Sequence, residues 1–401
     1  MKNFLLVLLI ASISSFAQKL QKGIYHAELL LRDKENISLP FTLSVINDTE
    51  IVFINGEEEI KTKEIKFKND SFYLKMPIFD SEIHFTISEA KLKGYWYNFS
   101  RNDKNKIPFQ CTKGSKRFTN PQKTDNRKFE GRWEVTFGAN TKDSSKAVGV
   151  FNIKDGIANG TFLTETGDFR YLEGITSGNE MYLSCFDGSH AFLFKSVLNT
   201  DGTLSGEFYS GSHWKENWKA KKNQGFELRN PNEITKLKNE NFEISFSFRN
   251  TNGKLVQLSD EKFKNKVVII QLMGSWCPNC MDESNYFSDL YRKQRDKGLE
   301  IISICFERTN DTAKARQNIM RLKERFSIEY ELLVTGLSGK EKASETFPML
   351  SGISAFPTTL FLDRNKKIRK IHTGFAGPAT GAEYDLFTNE TQLFINSLLQ
   401  E

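Results

Sequence analysis

The stretch GSWCPNCMDE occupies residues 274–283 and places two cysteines, Cys277 and Cys280, two residues apart. An apolar run, Val267–Met273, precedes it and predicts a buried strand, and the residues at 280–296 predict a helix. A cysteine pair between a strand and a helix can bind a metal, form a static disulfide or exchange electrons, and each use needs different neighbours.

The position at a helix start favours electron exchange. Backbone N–H groups are unpaired there and the helix dipole is positive, so a thiolate is stabilised. The thiolate is the form that attacks a disulfide. We therefore expect Cys277 to be the attacking thiol, and the two-residue spacing lets Cys280 resolve the mixed disulfide.

The two structural uses of the pair stay open but are disfavoured. Zinc usually needs four ligands, and the sequence has neither a second closely spaced cysteine pair nor a paired-histidine motif. A static disulfide would close a very short loop and add little stability. The sulfur pair itself carries the electrons, so we expect no metal and no organic cofactor.

The whole chain limits the classes of protein to consider. It has 401 residues, enough for two or three domains, and its 34 phenylalanines are ample for packed cores. The formal net charge is +6, with no basic run dense enough to follow a phosphate backbone, so no nucleic-acid partner is expected.

The first seventeen residues read as a secretory signal peptide. Lys2 gives a short positive start, residues 5–11 are apolar, and Ser15 and Ala17 put small residues where signal peptidase cleaves. We expect cleavage after Ala17 and export to the periplasm or cell envelope. An uncleaved anchor is the alternative, although the apolar stretch is shorter than the roughly 20 residues of a spanning helix.

The five cysteines do not form a disulfide framework, since their number is odd and they are widely scattered. Cys305 lies in an apolar run and is expected to be a buried small hydrophobe. A bond between Cys111 and Cys185 stays open.

Residues 18–222 predict an all-β region, an antiparallel barrel or sandwich, because short strands alternate with turns such as Asn55-Gly56 and Asp155-Gly156. The region reads as two repeats, residues 18–120 and 121–222. Gly23-Ile24-Tyr25 is echoed by Gly131-Arg132-Trp133, and residues 93–97 are echoed by 205–209.

A lysine- and asparagine-rich stretch, residues 223–242, reads as a flexible linker. Strands then alternate with helices over residues 243–401, which predicts a layered α/β domain.

This last part resembles the thioredoxin fold. Residues 276–280, Trp-Cys-Pro-Asn-Cys, resemble its active site, and residues 356–363 resemble its cis-proline segment. Residues 252–260 resemble the hairpin that leads into the TlpA/ResA-type thiol-disulfide oxidoreductases of the AhpC/TSA-related superfamily. The resemblance implies a thioredoxin-like domain that exchanges dithiols with protein disulfides.

The resemblance also implies supporting residues. Pro357 would be the cis-proline that faces the sulfurs, with Pro278 between the cysteines and Trp276 shielding them from water. Glu283 stands where relatives carry an active-site acid, which would move the proton of Cys280. The alternative for Glu283 is an ordinary exposed helix residue.

Three departures from the family pattern matter. Gln271 stands where thioredoxins keep a buried aspartate, and Asn285 stands where many relatives have a helix-kinking proline. Gly274 stands where the peroxidases of the superfamily need threonine, which argues against peroxidase activity.

Three further features have both a functional and a plain interpretation. His190 and His213 each follow Gly-Ser and would line a ligand-binding mouth, or they are ordinary loop residues. Residues 374–381 would contact substrate, or they form a plain turn.

We expect an exported thiol-disulfide oxidoreductase that reduces protein disulfides in the cell envelope and is recharged by an upstream membrane electron donor. The β-rich region would select the substrate or dock the protein, without chemistry of its own. The alternatives are a ligand- or partner-binding envelope protein whose thioredoxin domain is accessory, and a scaffold with an inert cysteine pair.

Overall fold

The computed structural model describes residues 19–89, 91–101, 106–114, 117–118, 122–239 and 243–401. The expected signal peptide, residues 1–17, lies outside these residues. Across the described ranges, no helix is both long enough and apolar enough to cross a membrane.

The first sheet is built from nine antiparallel strands, in the order β4-β3-β2-β1-β9-β8-β7-β6-β5. Alternate side chains of these strands face one apolar core, as expected when only one face of a strand is buried. The strands are β1 Gly23–Arg32, β2 Ile37–Asn47, β3 Glu50–Asn55, β4 Glu58–Thr62, β5 Ile65–Lys68, β6 Ser71–Lys75, β7 Ser81–Ser88, β8 Lys91–Asn98 and β9 Lys106–Lys113.

The second sheet also has nine antiparallel strands, in the order β11-β10-β18-β17-β16-β15-β14-β12-β13. Pairing between β11 and β12 closes it into a barrel around a core rich in phenylalanine and tryptophan. The strands are β10 Gly131–Phe137, β11 Ser145–Lys154, β12 Ile157–Thr164, β13 Gly167–Asp168, β14 Leu172–Ser177, β15 Glu180–Phe186, β16 Ala191–Leu198, β17 Leu204–Ser210 and β18 Trp214–Lys222.

The two sheets share a strand order around their first and last strands. The echoed triplets begin β1 and β10, which are the first strands of the two sheets, and the echoed residues 93–97 and 205–209 lie in β8 and β17, the eighth strand of each. In each sheet the first strand pairs with the ninth. The sequence echo therefore falls on corresponding strands, and duplication stays a prediction.

The C-terminal part has the expected thioredoxin-like architecture, with a mixed sheet of order β20-β19-β23-β22-β21-β24-β25 and helices packed against it. β21 is completely buried in the interior of the sheet, between β22 and β24, as its apolar sequence predicts. The elements are β19 Ser247–Asn250, β20 Leu255–Gln257, β21 Val267–Met273, α1 Pro278–Gln294, β22 Leu299–Cys305, α2 Thr312–Arg325, β23 Glu331–Val334, α3 Gly339–Thr346, β24 Thr358–Leu362, β25 Ile368–Thr373 and α4 Ala382–Gln400.

Part of the predicted linker packs against the C-terminal domain. Thr235 is fully buried and its hydroxyl donates to the Gly352 carbonyl at 3.2 Å. Lys238 N–H donates to the Met349 carbonyl at 2.8 Å. These bonds attach the segment to the C-terminal domain. They also satisfy polar groups of the segment that packing removes from water.

The first sheet also reaches into the C-terminal domain. Ile78 and Phe79, in the turn between β6 and β7, are buried within the apolar core of that domain. Asp80 follows them and makes ion pairs with Lys314 at 2.8 Å and Arg321 at 3.7 Å on α2. We call these residues, Ile78 to Asp80, the first-sheet contact.

Candidate active site

The cysteine pair lies where β21 passes into α1. Cys277 N–H donates to the Gly274 carbonyl at 3.0 Å, which closes the turn after the strand. Cys277 is the N-cap of α1, and Pro278 takes the first helical position, where its missing N–H costs nothing. The backbone N–H of Cys280 donates to Cys277 Sγ at 3.3 Å. The structure thus places Cys277 at the helix start that the sequence predicts.

Both sulfurs are buried and neither is in a disulfide, so the structure corresponds to the reduced pair. Cys277 keeps 7% of its surface exposed and Cys280 none. Burial, together with the hydrogen bond and charge of Cys277, raises the pKa of the Cys280 thiol well above its usual range. Of the two, Cys277 alone is open to an incoming disulfide, and Cys280 needs help to lose its proton.

The other three cysteines are buried free thiols. Cys111 packs in the core of the first sheet and Cys185 packs in the core of the second. The two residues are therefore separate thiols and do not form the disulfide that the sequence left open. Cys305 ends β22 and is 1% exposed, in agreement with its interpretation as a buried small residue.

The cis-proline segment faces the nucleophile. The Phe356–Pro357 peptide bond is cis, and Cys277 Sγ donates to the Phe356 carbonyl at 3.5 Å. Trp276 is half-buried beside them, with its indole N–H on the Phe306 carbonyl at 3.0 Å. The Arg308 guanidinium lies 3.8 Å from the Trp276 ring centroid, which is a cation–π contact. These groups form the wall of the site on the side of the C-terminal domain.

Glu283 is buried beneath the pair, which is incompatible with an exposed helix residue. Gln271 donates to its carboxyl at 2.8 Å and the Thr359 hydroxyl donates at 3.0 Å. Burial raises the pKa of Glu283 to about 8, although both hydrogen bonds act against the shift. Gln271 also donates to the backbone carbonyl of Cys280 at 3.4 Å, so it holds the Glu283 carboxyl against the backbone of the first turn of α1.

A second buried carboxyl that the sequence did not reveal, Glu307, contacts Ser275, two residues before Cys277. Glu307 accepts from the backbone N–H and the hydroxyl of Ser275 at 2.8 and 2.7 Å. Burial raises its pKa to about 7, against the effect of these bonds. No motif marks this residue, because the charge follows an ordinary apolar strand.

Turns of the second sheet lie directly on the cysteine stretch. Asn279 donates to the backbone and side-chain oxygens of Asp168 at 3.3 and 3.2 Å. Ser189 donates to the Trp276 carbonyl at 3.3 Å, and Arg170 donates to the Pro278 carbonyl at 3.1 Å. We call this the second-sheet contact, formed by Asp168, Arg170 and Ser189 against residues 276–282, with Asp187 supporting Arg170 and Ser189.

The glycine-rich loop 374–381 lies at the same place. Asn279 also donates to the Phe375 carbonyl at 3.5 Å, and Gly377 N–H donates to Asp168 at 2.6 Å. A β-carbon at Gly374 would lie 3.0 Å from the carbonyl carbon of Thr166, so the loop packs closely on the second sheet. Its position beside the pair agrees with the resemblance, and substrate contact stays a prediction.

His190 and His213 have structural partners. His190 contacts Asp187 at 3.2 Å and stacks on Phe192, and His213 is 2.9 Å from Arg101. Over the residues given coordinates, no group of three or more His, Cys, Asp or Glu side chains is arranged to hold a metal ion.

Comparisons with known proteins agree with this domain. The sequence profile of the Redoxin family matches residues 238–386. The thiol-disulfide oxidoreductase ResA of Geobacillus thermodenitrificans is 25% identical over 129 residues, 32% of this chain and 66% of the relative. ResA of Bacillus subtilis is 25% identical over 130 residues, 32% of this chain and 64% of the relative. The chain thus spans just under two thirds of these curated relatives.

Solved structures also resemble part of the chain. The thioredoxin domain of a Bacteroides vulgatus thiol-disulfide oxidoreductase is 20% identical and covers 40% of this chain and 99% of its own, with a TM-score of 0.30. A thioredoxin-family thiol:disulfide interchange protein of Chlorobium tepidum is 16% identical and covers 39% of this chain and 93% of its own, also with a TM-score of 0.30. The predicted resemblance to the ResA-type proteins is confirmed by the family and sequence matches.

Proposed function

We propose that this protein, whose residues 238–386 form a Redoxin domain, is a thiol-disulfide oxidoreductase that acts on protein disulfides. The observation that carries the proposal is the placement of Cys277. Its sulfur accepts from the backbone N–H of Cys280 in the first turn of α1 and faces the cis-proline segment. Such a sulfur is held where a thiolate is stabilised and where a substrate backbone can approach.

The first step is attack by the Cys277 thiolate on one sulfur of the substrate disulfide. A bond forms between Cys277 and that sulfur, the substrate S–S bond breaks, and the second substrate sulfur leaves as a thiolate that takes up a proton. The 7% exposure of Cys277, against none for Cys280, assigns this step to Cys277.

In the second step Cys280 attacks the mixed disulfide. It loses its proton, bonds to Cys277 and releases the remaining substrate thiol, so that two electrons and two protons have passed to the substrate. The raised pKa of Cys280 makes proton removal the difficult part. Glu283 is the buried carboxyl of α1 whose charge acts on the Cys280 thiol, and we assign it the transfer of this proton.

The location and the electron source belong to the same proposal. Residues 1–17 would direct export and be removed after Ala17, which would leave the enzyme in the periplasm or envelope. The oxidised pair must regain two electrons before another turnover. A membrane-bound dithiol donor would supply them.

The β region keeps the predicted role of selecting or docking the substrate, with one change in the expected mechanism. A flexible tether would raise local concentration only. Here the second-sheet contact reaches the cysteine stretch itself, so the β region would select substrates by shaping the approach to Cys277.

The test traps the mixed disulfide. Replacing Cys280 with Ala removes the resolving thiol, so mixed disulfides with substrate proteins should accumulate at Cys277. Cys277→Ala is the matched control and should trap little, because its remaining sulfur is fully buried. Trapped adducts are counted by mass spectrometry on non-reduced protein.

Equal trapping by both variants would contradict the order of attack. Failure of the wild-type pair to oxidise and reduce in glutathione buffers would contradict the oxidoreductase function altogether and favour an inert pair.

A further inference from the structure

A buried arginine of the β region holds the cysteine stretch. Arg170 lies between β13 and β14 and its side chain is 1% exposed. One guanidinium nitrogen donates to the Pro278 carbonyl at 3.1 Å and to the Asp282 carboxylate at 2.5 Å. Pro278 lies between the two cysteines and Asp282 lies two residues after the second. Arg170 therefore binds the first turn of α1 at its beginning and at its end.

The same guanidinium is fixed by two acids of the β region. A second nitrogen donates to Glu58 of the first sheet, and the third is 3.4 Å from Asp187 in the turn after β15. Burial removes the hydration of the arginine charge, and carboxylates must compensate this loss. The planar guanidinium can donate to several such partners at once. Arg170 thus joins both sheets to the helix that begins with the cysteine pair.

The surroundings of Arg170 carry an excess of acid. Glu58, Asp168, Asp187 and Asp282 all lie in this cluster, around one guanidinium. Burial raises the pKa of Asp282 to about 7, Arg170 lowers it, and Asp168 and Glu58 raise it. Burial would also raise the pKa of Asp187, but His190 and Arg170 bring it to about 2. Without the guanidinium, the negative charge of this acidic cluster would lose its main compensating charge near the start of α1.

The packing at this place leaves little freedom. A β-carbon at Gly167 would lie 2.8 Å from the side chain of Asn279, so the backbone of the second sheet approaches the residue between the cysteines as closely as glycine allows. Movement of Arg170 would therefore be transmitted to the turn whose Cys280 N–H bonds to Cys277 Sγ.

We propose that Arg170 is a positioning residue for the Cys277–Cys280 pair, and that the β region is for this reason a part of the active site. The proposal rests on the proposed oxidoreductase function. Arg170 fixes the turn whose Cys280 N–H donates to Cys277 Sγ, and it supplies a positive charge against the neighbouring acids. Its removal should favour the disulfide over the reduced pair.

The test is the redox equilibrium of the full-length chain in glutathione buffers, read by alkylation and peptide mass so that the three other cysteines are counted separately. Arg170→Gln should shift the equilibrium constant toward the disulfide by about threefold to tenfold. Arg132→Gln is the matched control. Arg132 also joins the β region to the C-terminal domain, through Glu383 of α4 at 2.9 Å, but away from the first turn of α1. The redox equilibrium constant of Arg132→Gln should stay within about twofold of the wild type.

Arg170→Lys covers the case in which Arg170→Gln does not fold, as judged by circular dichroism. A lysine keeps the charge but cannot bind Pro278, Asp282 and Glu58 together, so a smaller shift in the same direction is expected. The proposal is wrong if the folded Arg170 variants coincide with the wild type, or if Arg132→Gln shifts the equilibrium as much. A wild-type pair that does not titrate would instead contradict the proposed function.

Discussion

The two sheets of the β region meet the C-terminal domain in different ways. The first-sheet contact inserts two apolar side chains, Ile78 and Phe79, into its core and adds ion pairs at the surface of α2. The second-sheet contact brings buried polar and charged groups onto residues 276–282. Apolar burial supplies most of the stability of a fold, whereas buried polar groups fix geometry. The comparison indicates that the first sheet anchors the domain and the second sheet shapes its active site.

The largest expected effect is on stability and tests the anchor. Phe79→Ala should cost about 3–5 kcal/mol, because a buried ring is replaced by a cavity in the core of the C-terminal domain. The glutathione equilibrium of the cysteine pair should stay within about twofold of the wild type, since Phe79 belongs to the anchor and not to the second-sheet contact. Urea denaturation followed by fluorescence measures the first quantity and alkylation measures the second.

Phe67→Ala is the control for this prediction. Phe67 belongs to the same sheet but is 44% exposed, so its truncation should change the denaturation midpoint little. If Phe79→Ala shifted the glutathione equilibrium of the cysteine pair as far as Arg170→Gln does, the two sheets would not have the separate roles of anchoring the domain and shaping the active site.

The sequence predicted the C-terminal domain well because its signals are local. The apolar run Val267–Met273 gave the central strand with its observed bounds, and the cysteine spacing gave the helix start to within two residues. The residues at the cis-proline and Glu283 were placed by motif. What lay beyond the prediction was α3, a short helix of eight residues with only one buried side chain, Ala343, and therefore no clear amphipathic period.

The contacts between the regions could not be predicted for a different reason. Arg170 and Asp282 are 112 residues apart, and Arg170 and Glu58 are also 112 apart, so their meeting depends on how three sheets pack. A single arginine in a loop has no pattern that distinguishes it from a solvated one. The lysines and asparagines of residues 223–242 suggest solvation, while the Thr235 hydroxyl and the backbone N–H of Lys238 contact the C-terminal domain.

The next effect concerns the side of α1 that faces away from the β region. Asp282 faces the second sheet, whereas its neighbour Glu283 faces Gln271 and Thr359 of its own domain. With a pKa of about 8, Glu283 is largely protonated at pH 7 and becomes a proton acceptor above pH 8. Exchange by the wild type should therefore rise through this range, and Glu283→Gln should be slower and lose that rise.

Stability gives an independent measurement of the same group. The folded pKa of Glu283 is raised above the unfolded value, so its contribution to stability is present below about pH 4.5 and is lost as the pH rises toward 8. Glu283→Gln should therefore gain stability relative to the wild type between these values, as thermal unfolding at several pH values would measure. A difference that does not change with pH would contradict the buried carboxyl, and an unchanged exchange profile would remove its proton-transfer role.

The smallest expected effect lies at the polar end of the first-sheet contact. Asp80 pairs with Lys314, which is 41% exposed, and with Arg321 at the longer distance of 3.7 Å. Because solvent and salt screen such pairs, Asp80→Asn should lower the free energy of unfolding by only about 0–1 kcal/mol, and less at high salt. Lys314→Gln removes the same pair from the other side and should give a loss of similar size, with the sulfur equilibrium unchanged in both. A loss comparable with that of Phe79→Ala would mean that charge, and not apolar burial, anchors the first sheet. The difference between the two sheets would then lie only in which part of the C-terminal domain each one contacts.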